Sequence, residues 1–288
     1  MNNTIRVNTW EECEREILNI ENDNSFALNE VWFRGLPNST WALTSTLERR
    51  VANLRDVVDT YHVAEYYRLM WRIKPEIETF MGSTWEMPSD ETTHAWTRSY
   101  DKFRNLLESA YSFMAHLRHH GFPSPLLDWT RSPYFAAYFA FAKPERDSDE
   151  VAIYVYSERP NNLKVGGSDS PSIFPLGPLV KTHKRHFRQK SRYTVCAEFD
   201  QTNGWCFKPH QTVFDLGRTD QDVLRKIVIP KTERIKVLNL FDKFNLNAFS
   251  LFDSEEGLME TLACREIDLK TPKPAKVNLP PLDAETLP

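Results

Sequence analysis

The sequence predicts an α+β fold in which a sheet carries a long helical insertion. Three observations lead there. Short runs rich in β-formers stand at Ala27 to Gly35, Glu150 to Ser157, Tyr193 to Phe199 and Lys226 to Ile229. Between the first two, residues from about 47 to 119 place Tyr61, Tyr66, Tyr67, Met70, Trp71, Ile73 and Ile77 at partly helical spacing. Strands and helices do not follow a strict βα alternation, which argues against a doubly wound parallel sheet.

In chain order, Thr9 with Glu12 three residues on is a capping-box signature that starts a first helix, within an N-terminal helical segment at 1–26. The strand from Ala27 ends at Gly35, and Leu43 to Glu48 leads into the helical insertion. A polar break at Gly82 to Thr93 divides the insertion, and Tyr100 to His119 forms its second long helix. Pro133 to Ala142 is an apolar run that predicts a buried helix, capped by Ser132 or Thr130 with Pro133 at its first position. Asn161 to Pro178 is a Gly/Ser/Pro-rich surface loop, and Arg234 to Leu240 is a further candidate strand. A last helix begins near Asp253 with carboxylates in its first turn, and the proline-bearing stretch 263–288 is a tail. With no repeat and no clear linker, 27–262 is expected to be one domain.

Composition sets limits on function. The chain has 288 residues, 41% hydrophobic and 26% charged, as a folded core requires. Its net charge of −4 gives no global attraction to nucleic acid or membrane, so a polyanion contact needs a local patch. No apolar stretch reaches the ~18 residues of a membrane span, so no membrane partner is expected. Cys13, Cys196, Cys206 and Cys264 lack metal-like spacing, and the first residues carry no secretory signal. Reduced thiols and a cytoplasmic location are the expectation. Gly-rich phosphate loops, G-x-S-x-G and H-E-x-x-H are absent, and no metal site is expected.

The densest chemical signal is His119 to Pro133, followed directly by the apolar run. Three prolines in eleven residues stiffen this segment, so ordering its side chains costs less entropy. Its delivery of polar groups to a helix start suits an anion. Arg34, in Phe33-Arg34-Gly35, lies on an apolar strand and needs either a structural ion pair or an anionic ligand. Its planar fork fits phosphate, and Gly35 leaves room for close backbone approach. Asp128 is a structural partner of Arg34, a cap or a catalytic group. His119 and His120 are adjacent on a helix and diverge, which makes a shared metal improbable. Lys181 to Arg192 holds six Lys or Arg in twelve residues, Lys184, Arg185, Arg188 and Arg192 among them. It is either a solvated face or a phosphate-binding patch.

Together these residues resemble the FRG domain family, named for the tripeptide at Phe33-Arg34-Gly35. The segment His119-His120-Gly121-Phe-Pro-Ser-Pro-Leu-Leu-Asp128-Trp129-Thr130-Arg131-Ser132-Pro133 is similar to the family's QH-x-G-L-P-T-R-L-L-D-W-T-x-S-P signature. It departs at His119, Phe122 and Ser124-Pro125, where position 125 lacks the family's arginine. Gln189-Lys-Ser-Arg-Tyr193-Thr194 resembles the Q-Q-G/S-x-F-T strand, and Lys226 to Pro230 and Ser250 to Asp253 resemble the closing segments.

A second resemblance is to the arginine-type ADP-ribosyltransferases. Val31-Trp-Phe-Arg34-Gly35 is similar to their Y-R-G strand and Thr130-Arg-Ser132 to their S-T-S edge. This resemblance implies an ADP-ribosyltransferase-like split β-sheet core with NAD bound, as substrate, between two small sheets. Arg34 and Gly35 would hold the pyrophosphate, Thr130 and Ser132 would order the nicotinamide side, and Tyr193 would stack on a ring. Arg34, Asp128 and Gln189 are the implied catalytic set, with His119, His120, Lys184, Arg185, Arg188 and Arg192 toward the acceptor. The family's catalytic Glu aligns with Gln189, or in a poorer register with Leu224-Arg225-Lys226. A neutral amide forgoes electrostatic help of about 10²–10³ in rate, and Asp128 and Glu198 are the candidates to replace it. The acceptor would be RNA, DNA or protein, in the manner of a bacterial toxin or phage-defence effector with an antitoxin protein. The rival readings are a non-catalytic nucleotide- or phage-sensing module and an RNA- or DNA-binding domain.

Overall fold

A computed structural model describes residues 3–23, 30–53, 61–143, 145–158, 170–177, 185–217 and 221–270. The fold is mixed α+β, built on one curled, nine-stranded sheet. Its strands are β1 (Thr4–Arg6), β2 (Val31–Leu36), β3 (Tyr61–His62), β4 (Leu127–Thr130), β5 (Glu150–Ser157), β6 (Ser172–Leu176), β7 (Ser191–Asp200), β8 (Gly204–Phe207) and β9 (Val223–Pro230). They run in the order β1-β9-β5-β2-β4-β7-β8-β3, with β6 on β7, and among the described residues only β1 and β9 pair in parallel.

In place of the expected two small sheets, the described strands form a single sheet whose pairing is thinnest, a pinch, between β2 and β4. β2 pairs with β5 over all six of its residues, and β4 with β7 over all four. Between β2 and β4 the register holds one pair, Phe33 opposite Thr130. Aromatic packing spans the seam, with the Trp129 and Tyr156 rings 5.5 Å apart and Trp32 and Tyr156 5.7 Å apart.

The helices are α1 (Trp10–Glu21), α2 (Thr46–Ala52), α3 (Val63–Met81), α4 (Asp90–Thr97), α5 (Phe103–His119), α6 (Pro133–Ala142), α7 (Arg185–Arg188), α8 (His210–Leu216), α9 (Arg234–Lys243), α10 (Ala248–Phe252) and α11 (Glu255–Ala263). The insertion is α2 to α5, interrupted by the short β3. Its buried face (Tyr66, Tyr67, Met70, Leu106, Phe113) closes over Tyr193, Val195 and Phe207 of β7 and β8. The other half of the sheet, with Phe33, Ile153, Val155 and Ile227, is covered by α1, α6 and α9. α6 starts as its sequence dictates, with the Ser132 hydroxyl accepting from Phe135 N and Pro133 in the first turn. Thr9 likewise caps α1 through Glu12 N, while the Glu12 side chain accepts from Asn8 N.

Several expectations are corrected. Arg234 to Leu240 is helical, because Val237, Leu238 and Phe241 recur at one face and bury against the core. Ser172–Leu176, expected as loop, is β6, paired along β7. Leu127–Thr130, inside the proline-stiffened segment and absent from the expected strands, is β4, whose backbone bonds go to β7. Gln189 and Lys190 form the turn before β7 rather than part of a strand. Residues 178–184, with Lys181 and Lys184 of the basic run, and residues 271–288 of the expected 263–288 tail lie outside the described residues.

Candidate functional site

A cleft of about 750 Å³ opens where β2 and β4 pinch. β2 contributes Phe33, Arg34 and Gly35, and β4 contributes Asp128, Trp129 and Thr130. Trp41 and Arg49 line it from the β2–α2 side, Phe139 from α6 and Lys143 from just past its end, and Gln189, Ser191 and Phe252 from beyond the seam. Its volume falls within the ~300–1,000 Å³ typical of small-molecule sites.

Arg34 is the central group. Its side chain is 12% exposed, and Nη1 donates to the Asp128 backbone oxygen at 2.8 Å and to Asp128 Oδ1 at 2.7 Å. Nε is buried and has no hydrogen-bond partner among the described residues. The same Oδ1 accepts from Nη2 of Arg118, on the last turn of α5, at 2.6 Å. Oδ2 accepts no hydrogen bond among the described residues, and the carboxylate is 45% exposed. Desolvation raises the pKa of Asp128, but the charges of Arg118 and Arg34 and the Arg118 hydrogen bond outweigh it. The carboxyl is held well below the usual carboxylate range. The pKa of Arg49 is also lowered from its ordinary value, first by desolvation and then by the charges of Arg34 and Arg118, which here disfavours its charged form. The cleft thus carries more positive charge than its one lining carboxylate offsets.

Behind β4 lies a neutral polar relay. Trp129 Nε1 donates to Thr194 Oγ1 at 2.8 Å, and that hydroxyl lies 2.7 Å from Nε2 of the fully buried His210. Burial and then the Arg34 charge push the His210 pKa down to about 3, so the ring stays uncharged at neutral pH.

The structure brings Arg34, Gly35, Asp128, Thr130 and Gln189 to one cleft. Thr130 is 4% exposed, and its hydroxyl donates to the Gln189 backbone oxygen at 2.7 Å and accepts from Ser132 N. Ser132 lines a separate cavity of about 770 Å³ with Arg188, beyond the Gln189 turn. Gln189 Nε2 donates to Leu251 O at 3.3 Å. Tyr193 is 1% exposed; its hydroxyl lies 2.7 Å from His119 Nε2, and its ring stacks on His186 at 5.7 Å. His120 ends α5 beside His116, ring centroids 4.4 Å apart. Arg188 pairs with Asp253 at 2.6 Å and Arg192 with Glu30 at 3.3 Å. Lys184 and the Arg185 side chain lie outside the described residues. Glu198 pairs with Lys208 and is absent from the cleft lining. In the second register, Arg225 pairs with Asp23 and Lys226 Nζ donates to Ser39 O.

Sequence reasoning missed Arg49, Trp41 and His210, and it gave Arg118 no role. A capping box at Ser45 and Glu48 was a legible sign that Arg49 belongs to a helix, but nothing local aims that helix at the cleft. Among the described residues, no three His, Cys, Asp or Glu are grouped to hold a metal, and no helix is long and apolar enough to cross a membrane. All four cysteines are free of disulfides.

The family model of the FRG domain matches residues 29–149, which spans Phe33-Arg34-Gly35, the insertion and the Leu-Leu-Asp128-Trp129-Thr130 core. Comparison with curated proteins gives no match, and comparison with solved structures gives none.

Proposed function

We propose that the FRG domain of this chain, at residues 29–149, uses the cleft at Arg34 to bind NAD and transfers its ADP-ribose to a macromolecular acceptor. One observation carries the reading. Arg34, Arg49 and Lys143 line the cleft and Arg118 stands behind it, against the single carboxylate of Asp128. Such a surplus attracts a ligand with two phosphates, and guanidinium forks match phosphate oxygens. Trp41, Phe139 and Phe252 supply ring faces on which a nicotinamide or adenine would lie.

In the transfer, the ribosyl C1–nitrogen bond breaks and nicotinamide leaves with the electron pair. A nucleophilic oxygen or nitrogen of the acceptor bonds to C1 and gives up its proton. Asp128, ionised and with Oδ2 unengaged among the described residues, would face the positive charge that develops on the ribose. Gln189 would hydrogen-bond a ribose hydroxyl. The resemblance to ADP-ribosyltransferases extends the proposal to a cytoplasmic toxin or phage-defence effector, with RNA, DNA or protein as acceptor and an antitoxin as partner.

A specific observation favours a second reading, a non-catalytic nucleotide-sensing module. Two guanidinium groups already neutralise Asp128, and a net-positive site opposes a developing cation. Thermal shift and nicotinamide release separate the two. The transferase requires that NAD raise the Tm of the wild type but not of Arg34→Ala, and that nicotinamide release fall in Asp128→Ala and Gln189→Ala. A shift without release supports the sensor. No NAD effect, with steeply salt-dependent RNA binding lost in Lys184, Arg185 and Arg188 variants, supports a nucleic-acid-binding domain.

A further inference from the structure

We infer that Arg118, contributed by the helical insertion, is a positioning residue for phosphate binding that acts through Asp128. Alone, Arg34 and Asp128 sum to zero charge and present a phosphate with a dipole. Arg118 adds a second guanidinium to the same oxygen, Asp128 Oδ1, at 2.6 Å, opposite Arg34 at 2.7 Å. The triad then carries one net positive charge, and the cleft receives it through Arg34.

Arg118 itself is absent from the cleft lining and 18% exposed, so its route to a ligand runs through the carboxylate. Its place is fixed on both sides. The next residue, His119, is hydrogen-bonded to Tyr193, and Tyr193 is the register partner of Asp128 on β7. The end of α5 therefore docks onto β4 and β7 together. A carboxylate gripped by two donors on one oxygen is also held in a single orientation, which keeps the Arg34 fork aimed.

This inference rests on the phosphate-binding reading above, and its test uses inorganic pyrophosphate as the probe, with NAD titrated in parallel. By calorimetry, Arg118→Met is expected to bind pyrophosphate roughly tenfold more weakly than wild type, the scale of one nearby charge at an effective dielectric of about 20. Arg118→Lys keeps the charge and is expected to recover most of that loss. Combining Arg118→Met with Asp128→Asn removes one charge of each sign and returns affinity toward wild type, which a purely structural role would not do. If Arg118→Met fails to fold, Asp128→Asn is compared with the double variant, and the double variant is expected to bind roughly tenfold more weakly.

Arg118→Met within about twofold of wild type, or a double variant no tighter than Arg118→Met, overturns the inference and leaves the NAD reading standing. Pyrophosphate binding that responds to Arg118 as expected, without NAD binding, supports the inference and removes the transferase. A wild type that binds no pyrophosphate overturns both.

Discussion

A Cβ placed on Gly35 would stand 1.8 Å from the carbonyl oxygen of Ala136 and 2.7 Å from the Ala140 nitrogen. The backbone of α6 therefore lies directly on β2, beside the arginine that anchors the cleft. The glycine of the Phe-Arg-Gly tripeptide is explained by this strand–helix contact rather than by a ligand. Gly35→Ala must push α6 off the sheet and is expected to cost about 3 kcal/mol, the upper end of ordinary overpacking. Urea unfolding checks this; a midpoint equal to wild type would show that α6 yields without loss.

His210 makes stability depend on acid. Its pKa is about 3 in the folded protein, against ~6.5 in an unfolded chain. Between those values the unfolded chain binds the extra proton, so stability falls as pH is lowered through that window. In His210→Gln this contribution is gone, and the plot of unfolding midpoint against pH flattens between about pH 6.5 and 3. Parallel curves for the two proteins would assign acid sensitivity elsewhere.

Glu48 acts with the opposite sign. Desolvation raises its pKa to about 7, against the lowering effect of its hydrogen bonds with Ser45. The folded state holds the extra proton between the unfolded value of ~4.3 and 7, so stability is greatest at low pH and declines as pH rises to 7. Glu48→Gln keeps an acceptor for Ser45 N and carries no charge. At pH 8 its Tm should exceed that of wild type by several degrees, because a shift of this size is worth more than one pKa unit of stability. At pH 4 the two proteins should melt together, and an equal gain at both values would point to packing instead.

What the sequence disclosed was local chemistry. Ser132 and Pro133 announced α6, and Glu150 to Ser157 announced β5, because caps and alternation are written in neighbouring residues. β4 was hidden: Leu127 to Thr130 finds its backbone partners some 60 positions later on β7, a pairing no local window contains. The Arg34–Asp128 pair was legible, since a buried arginine and a carboxylate on a stiff segment need each other. Arg49 and Arg118 reach that pair only once α2 and α5 have docked. The Thr130 hydroxyl looked open to a ligand, yet the turn at Gln189 had already engaged it.

Every other junction along the sheet's main path is a ladder, but among the described residues Phe33 and Thr130 alone are in register between β2 and β4. The rings of Trp32, Trp129 and Tyr156 and the two bonds from Arg34 to Asp128 fasten the rest of that join. The floor of the cleft at Arg34 is thus knit by side chains, while its flanks are knit by main-chain ladders.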